Sequence, residues 1–237
     1  MSISYSLKLL LFFSFFTHGF FLYSQSLTFC DSFESQCDFA NTFYKEHKSE
    51  FEKLARSVGT NAEFLYAIVA PEITQFSYLE NALESHSLKV FYVQGGKEYS
   101  NFSIGYFQMK PSFVEELEMG IKHSIQLKKS FDFCLFDYPN ERSSRVTRLK
   151  RLETLEWQMI YLQVFYELVE EKFRNKKFKN VYEKLSYFSA AFNSGFNKSI
   201  EDLKLMQKKR MFPHFSENKF NYSDLSCGFY RLAISMK

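Results

Sequence analysis

A chain of 237 residues with 8 Gly, 4 Pro, 46% hydrophobic and 19% aromatic side chains has ample material for a buried core, which excludes disorder. The formal charge of +3 is small and spread along the chain, so nucleic acid is not expected as the main partner. No repeat or linker divides the sequence, and residues 27–237 read as one domain.

The first 26 residues read as a secretory signal peptide. Lys8 is the only charged side chain before Asp31, the apolar run Leu9 to Phe16 follows it, and Ser24-Gln25-Ser26 supplies a small-x-small cleavage site. The stretch 9–23 is interrupted by His18 and is short for a span of about 20 residues. Export with cleavage is expected, leaving no transmembrane anchor. Four cysteines (Cys30, Cys37, Cys134, Cys227) lie in the exported part. Cys30 with Cys37 would form a small loop and leave Cys134 for Cys227, or some or all are buried thiols; both readings stand. His47, His86, His123 and His214 stand apart with no ligand spacing, so no metal or cofactor is expected.

Asn41 to Val58 has the periodicity of an amphipathic helix, with Phe43, Phe51, Leu54, Ala55 and Val58 on one stripe and Gly59 as its end. Thr60-Asn61-Ala62-Glu63 matches a capping box. It opens a second helix, apolar nearly all round from Phe64 to Ala70 and therefore buried. Pro71 has no N–H for the helix ladder, so the helix should kink or end there. Glu72 then stands where a buried helix opens. Desolvation there would raise its carboxyl pKa towards the range useful to a general acid. The structural alternative is a residue that merely caps or solvates the helix end.

Tyr78 to Val93 reads as helical and Gly95-Gly96 as a turn. In Ser103-Ile104-Gly105-Tyr106-Phe107-Gln108-Met109-Lys110-Pro111, Gly105 among bulky neighbours implies a backbone conformation or close approach that a side chain would prevent. Pro111 suits the first position of a helix through Met119. Phe131 to Pro139 is aromatic and irregular, and Arg148 to Phe173 carries a long helical pattern. Trp157, the only Trp, is either core or a platform for a sugar ring. Val181 to Asn193 is a helix stopped by Gly195. A further helix runs to about Met211 through the basic cluster Lys208-Lys209-Arg210, and a loop-rich tail spans Pro213 to Gly228.

Three segments, taken in order, resemble the lysozyme-like transglycosylases of bacterial cell walls. The first is Ala67-Ile68-Val69-Ala70-Pro71-Glu72, like the family's catalytic Glu after an apolar helix. The second is Ser103 to Pro111, like its small-x-Gly-Leu-Met-Gln-x-x-Pro segment. The third is Ala190-Ala191-Phe192-Asn193-Ser194-Gly195, like its Ala-Ala-Tyr-Asn-x-Gly segment. The chain departs from the family at Ile73, where Ser is usual, at Tyr106-Phe107 for Leu-Met, and at Phe192 for Tyr. The spacing from Glu72 to Gln108 is also longer than usual.

The resemblance implies a mainly α fold: a lysozyme-like helical domain with a substrate cleft, extra helices and a loop-rich C-terminal tail. It implies cleavage of the β-1,4 bond between N-acetylmuramic acid and N-acetylglucosamine in peptidoglycan strands, in the periplasm or cell envelope. Glu72 would serve as acid and then base, giving 1,6-anhydro products without a second carboxylate. Ser103 and Gly105 would shape the cleft, Gln108 and Met109 would border it, and Phe192 and Asn193 would face the sugar. Glu80 and Glu84 are the nearest downstream carboxylates; one of them in the cleft would permit hydrolysis instead. Ile73 and Phe192 favour the other reading, an envelope protein that keeps the fold without turnover. A third class is an unrelated secreted helical scaffold in which the motifs are coincidence.

Overall fold

The apolar segment after Gly59 becomes the central helix of the computed structural model, which describes residues 29–79, 85–136 and 140–236. Residues 1–28, which include the stretch read as a signal peptide, and the carboxylates Glu80 and Glu84 lie outside the described residues. The chain is mainly helical: 73% of the described residues lie in helices, and these residues hold one two-stranded sheet. In order the helices are α1 (Glu34–Glu46), α2 (Lys48–Val58), α3 (Ala62–Leu79), α4 (Ser85–Gly95), α5 (Pro111–His123), α6 (Ile125–Phe131), α7 (Glu141–Leu152), α8 (Leu155–Phe173), α9 (Val181–Ser194) and α10 (Ile200–Met206). The hairpin β1 (Arg210–Phe212) and β2 (Phe220–Asn221) then leads into α11 (Tyr222–Ser235). None of the described helices is long and apolar enough to cross a membrane.

Helix α3 is packed by α1, α2, α9 and α11 on successive sides. Every residue from Phe64 to Ala70 is almost wholly buried, and so is Ile73. This explains the first departure from expectation: Pro71 does not end the helix, which runs on to Leu79. A proline inside a helix costs about 3 kcal/mol. Burying side chains such as Phe64, Leu65, Ile68, Val69 and Ile73 returns roughly 1.5–3 kcal/mol each, so packing on both sides of Pro71 outweighs the lost backbone bond. The start of α3 also differs in detail. The cap is Asn61, whose Oδ1 accepts the Phe64 N–H at 2.8 Å, rather than Thr60. Glu63, the fourth residue of the expected box, is buried.

Two other expected helices are divided. Asn41 to Val58 breaks at His47, whose ring packs on Phe43 at 4.5 Å while α1 ends and α2 begins. Gly59, with φ +70°, ends α2 as expected. Arg148 to Phe173 breaks at Glu153-Thr154, where Thr154 takes an extended conformation ahead of α8. The basic run ending at Arg210 closes α10 early and enters the hairpin. Only residues 213–219 of the tail are loop; Tyr222 to Ser235 is a helix with nine buried residues that packs against α3 and α9, so the tail belongs to the core. Cys30 and Cys37 form a disulfide with Cα atoms 5.7 Å apart, whereas Cys134 and Cys227 are separate buried thiols. Trp157 is a packing residue: the Arg151 guanidinium lies 3.8 Å from its ring centroid, and Tyr161 and Phe133 flank it.

One buried polar cluster ties α4, α5 and α7 together. Arg148, 6% exposed, donates from Nε and Nη2 to the two carboxylate oxygens of Glu118 at 2.9 and 2.7 Å. Its Nη1 donates to Tyr92 Oη at 2.5 Å, and the Tyr92 hydroxyl in turn donates to Glu115 at 2.8 Å. A bidentate guanidinium–carboxylate pair of this kind fixes orientation as well as distance. It sets the position of α5, whose first turns form one wall of the cleft described next.

Candidate active-site cleft

The segment between Ile104 and Met109 folds into a tight turn. Ile104 and Met109 exchange both backbone hydrogen bonds at 3.1 Å, and the Gln108 N–H donates to the Gly105 carbonyl at 3.0 Å. Gly105 has φ +70° and Gln108 has φ +47°, a left-handed conformation that Gln108 supports by donating its own Nε2–H to the Gly105 carbonyl at 2.8 Å. The turn is latched from below by Gln158 of α8, which is wholly buried. Its Oε1 accepts the Phe107 N–H and its Nε2 donates to the Leu152 carbonyl, both at 2.7 Å. A Cβ on Gly105 would stand 1.7 Å from Gln158 Nε2, so both parts of the expectation for this glycine are met: special φ and close approach. Gly105→Ala is expected to cost at least about 2 kcal/mol, from left-handed strain and the displaced Gln158 hydrogen bonds. Denaturant unfolding checks this; an unchanged midpoint would refute it.

The aromatic pair that stands where the family has Leu-Met is used for packing. Tyr106 packs against Phe43 and Phe76 at 4.7 and 4.6 Å, and Phe107 is buried near Phe43 and Phe51. Phe192 likewise meets Phe113 and Phe165 edge-on at 5.3 and 5.2 Å, presenting little of itself to the cleft. Gly195, with φ +105°, stops α9 as the last residue of the third segment.

These pieces surround an open cleft of about 1150 Å³. Glu72, Ser103, Gly105, Gln108, Met109, Phe192 and Asn193 all line it. The 101–110 segment and the first turns of α5 form one wall, and the end of α9 forms another. The third comes from β1, His214 and Tyr222, and Leu88, Lys89 and Glu153 also line the cleft. Asn193 is exposed to this space on the last turn of its helix. Met109 is nearly buried, so it contributes shape more than contact area. Ile73 is fully buried and points into the core, so its replacement of Ser leaves the lining unchanged.

Glu72 forms the floor. Its side chain keeps a small opening to the cleft, but protein encloses most of it, and burial pushes its pKa up to about 8. Lys110 and a hydrogen bond with Tyr222 act the other way and are outweighed. Tyr222 is the residue that sequence reasoning missed. Its hydroxyl, buried, donates to the Ile68 carbonyl at 2.9 Å and lies in hydrogen-bond contact with Glu72. The hydroxyl has one proton: beside protonated Glu72 it serves Ile68 and its lone pairs accept from the carboxyl, whereas beside ionised Glu72 it can donate to the carboxylate, which favours the ionised form. The tail helix thus brings a tyrosine hydroxyl to the acid, although Phe192 lacks one. The signal was present in Asn221-x-x-Asp224. Asn221 Oδ1 accepts the Asp224 N–H at 2.7 Å as a helix N-cap, so a helix beginning at Tyr222 was readable.

Tyr222→Phe is expected to raise the Glu72 pKa further, because it removes an interaction that favours the ionised form, and to leave the Ile68 carbonyl without that donor. The alkaline limb of a pH–activity profile would move upward, with a stability loss of about 1 kcal/mol; a limb that stays in place would show that the two groups do not interact.

No family model matches the chain, and no curated protein or solved structure is significantly similar to it. What the cleft can do is therefore read from its own chemistry. Among the described residues no group of three or more His, Cys, Asp or Glu is placed to hold a metal ion. Among the described residues two further carboxylates line the walls. Glu153 pairs with Lys89 at 2.6 Å, and Glu116 accepts from the Asn197 amide at 2.9 Å.

Proposed function

We propose that this protein is an exported peptidoglycan-cleaving glycosidase of the bacterial cell envelope, acting as a lytic transglycosylase on the β-1,4 bond between N-acetylmuramic acid and N-acetylglucosamine. One observation carries the reading. A carboxyl kept protonated near neutral pH sits on the floor of an open cleft whose walls are the two other segments of the resemblance. Protonated Glu72 delivers its proton to the glycosidic oxygen as the anomeric C–O bond breaks. The resulting carboxylate then takes the proton of the sugar's own 6-hydroxyl as that oxygen bonds to the anomeric carbon. This yields a 1,6-anhydro end and restores the acid. Tyr222 holds the carboxyl in place through both states, and Asn193 offers an amide to the sugar's acetamido or hydroxyl groups.

Hydrolysis is the second reading, and Glu116 and Glu153 on the cleft walls favour it, since either would supply the partner carboxylate that hydrolysing enzymes use. Digestion of purified sacculi followed by mass spectrometry of the released muropeptides separates the two. Anhydro ends are expected, and reducing ends would replace the first mechanism with the second. No release of fragments, or equal release by Glu72→Gln, would overturn both.

A further inference from the structure

Among the described residues four lysines line the cleft together with Glu72, Glu116 and Glu153, and only Lys89 forms an ion pair with one of these carboxylates. Lys89 is paired with Glu153 at 2.6 Å. Lys110, Lys198 and Lys209 form no ion pair among the described residues. They come from three separate places, directly before α5, α10 and β1, so their convergence is made by the fold and not by a run of charge in the sequence. Lys209, part of a basic cluster in the chain, is the member turned to the cleft together with Met211 and Phe212.

Acid catalysis does not account for Lys110. A cation beside Glu72 favours the ionised carboxylate, which is the wrong state for proton delivery, and here it works against burial. Three unmatched cations in one groove also repel each other. Both costs are offset when an anion occupies the groove. The smaller cavity around Leu168 differs in this respect. There Lys97 is paired with Glu115 at 3.6 Å, and Lys172 is committed to the Phe196 carbonyl at 2.7 Å.

We infer that Lys110, Lys198 and Lys209 make this cleft select glycan strands bearing free carboxylates over neutral β-1,4-linked glycans. The inference rests on the glycosidase reading of Glu72 and adds to it which side chains recognise the charge of the strand. The carboxylates concerned are those of the peptide stems, and the lactyl carboxylate wherever a stem has been removed, each able to take a charge-assisted hydrogen bond from an ammonium group. Bound there, they neutralise Lys110 and remove its pull on Glu72, so the preferred substrate also favours the protonated acid.

The test uses two probes, peptide-bearing strands released from sacculi and a neutral chitin hexasaccharide, at low and high salt. Wild type is expected to prefer the acidic strand by at least tenfold in kcat/KM, with the preference shrinking as salt screens the lysines. Lys110→Gln/Lys198→Gln/Lys209→Gln should reduce that ratio by tenfold or more. A ratio unchanged by the triple substitution, or insensitive to salt in wild type, overturns the inference. Equilibrium binding of both probes to Glu72→Gln, with and without the lysine substitutions, keeps the two readings apart. Lysine-dependent binding of the acidic strand by a protein whose wild type cleaves neither probe retains the charge selection and removes the glycosidase reading. Equal binding of both probes removes the charge selection whatever the turnover.

Discussion

Glu72→Gln is expected to lower muralytic activity by about 10²–10⁴-fold, the usual contribution of a positioned general acid, while making the folded protein more stable in alkaline solution. The amide keeps the shape of the protonated carboxyl but has no proton to give. The stability effect follows from linkage. The folded-state pKa, pushed up to about 8, lies above the ordinary glutamate value, so the native protein holds a proton that the unfolded chain has lost at intermediate pH. Wild-type stability from this group is therefore fully present below the unfolded pKa. It declines as pH rises towards 8, by at most about 1.4 kcal/mol per pH unit. Glu72→Gln has nothing to ionise and should not show that decline. Urea unfolding of both proteins at pH 5 and pH 9 measures the difference. The variant should gain relative to wild type only at the higher pH, and an equal gain at both would mean that Glu72 is not held protonated. Activity of wild type should fall as pH passes through 8, because the ionised carboxylate cannot protonate the leaving oxygen.

Arg148→Ala should be the most destabilising single change outside the cleft, by about 3–5 kcal/mol, because it leaves the buried Glu118 carboxylate without its bidentate partner. Glu118 already has a raised pKa from burial, with Arg148 as the main opposing influence, so losing the guanidinium removes what keeps it ionised. The loss corresponds to roughly 6–20 °C in Tm for a domain of this size. Replacing both partners with apolar residues, Arg148→Met/Glu118→Met, should recover much of that stability, since no buried charge is then stranded. If the double variant is as unstable as the single one, the cluster is serving some need other than mutual neutralisation.

The cleft was legible where a residue's chemistry limits its own backbone. Gly59, Gly105 and Gly195 all take positive φ, and Pro111 opens its helix, as the sequence pattern implied. Glu72 was recognisable because a carboxyl interrupts an apolar run, though the reason given for its exposure was incomplete. It lies within a continuous helix rather than beyond a broken one, and the adjoining cleft gives it its opening. The sequence was silent where tertiary packing overrides local preference. The breaks at His47 and Glu153-Thr154 leave the helical periodicity almost undisturbed. The passage of α3 through Pro71 depends on burial contributed by α1, α9 and α11. Tyr222, Gln158 and the three unmatched lysines gain their meaning only from partners distant in the chain. Arg148 was hidden for a different reason: composition predicts a solvated arginine, and its burial follows from the meeting of three helices.

The hydrogen bond from Tyr222 to the Ile68 carbonyl joins residues 154 positions apart. Bringing chain ends together over such a distance costs on the order of 4–5 kcal/mol in loop entropy if nothing else holds them. One hydroxyl cannot meet that cost, so α11 docks as part of the cooperative core, and the floor of the cleft closes only when the domain does. The raised pKa of Glu72 therefore has no route through partial folding. In the unfolded chain Glu72 is an ordinary ionised glutamate, and its carboxyl comes to hold its proton only after the last helix has seated.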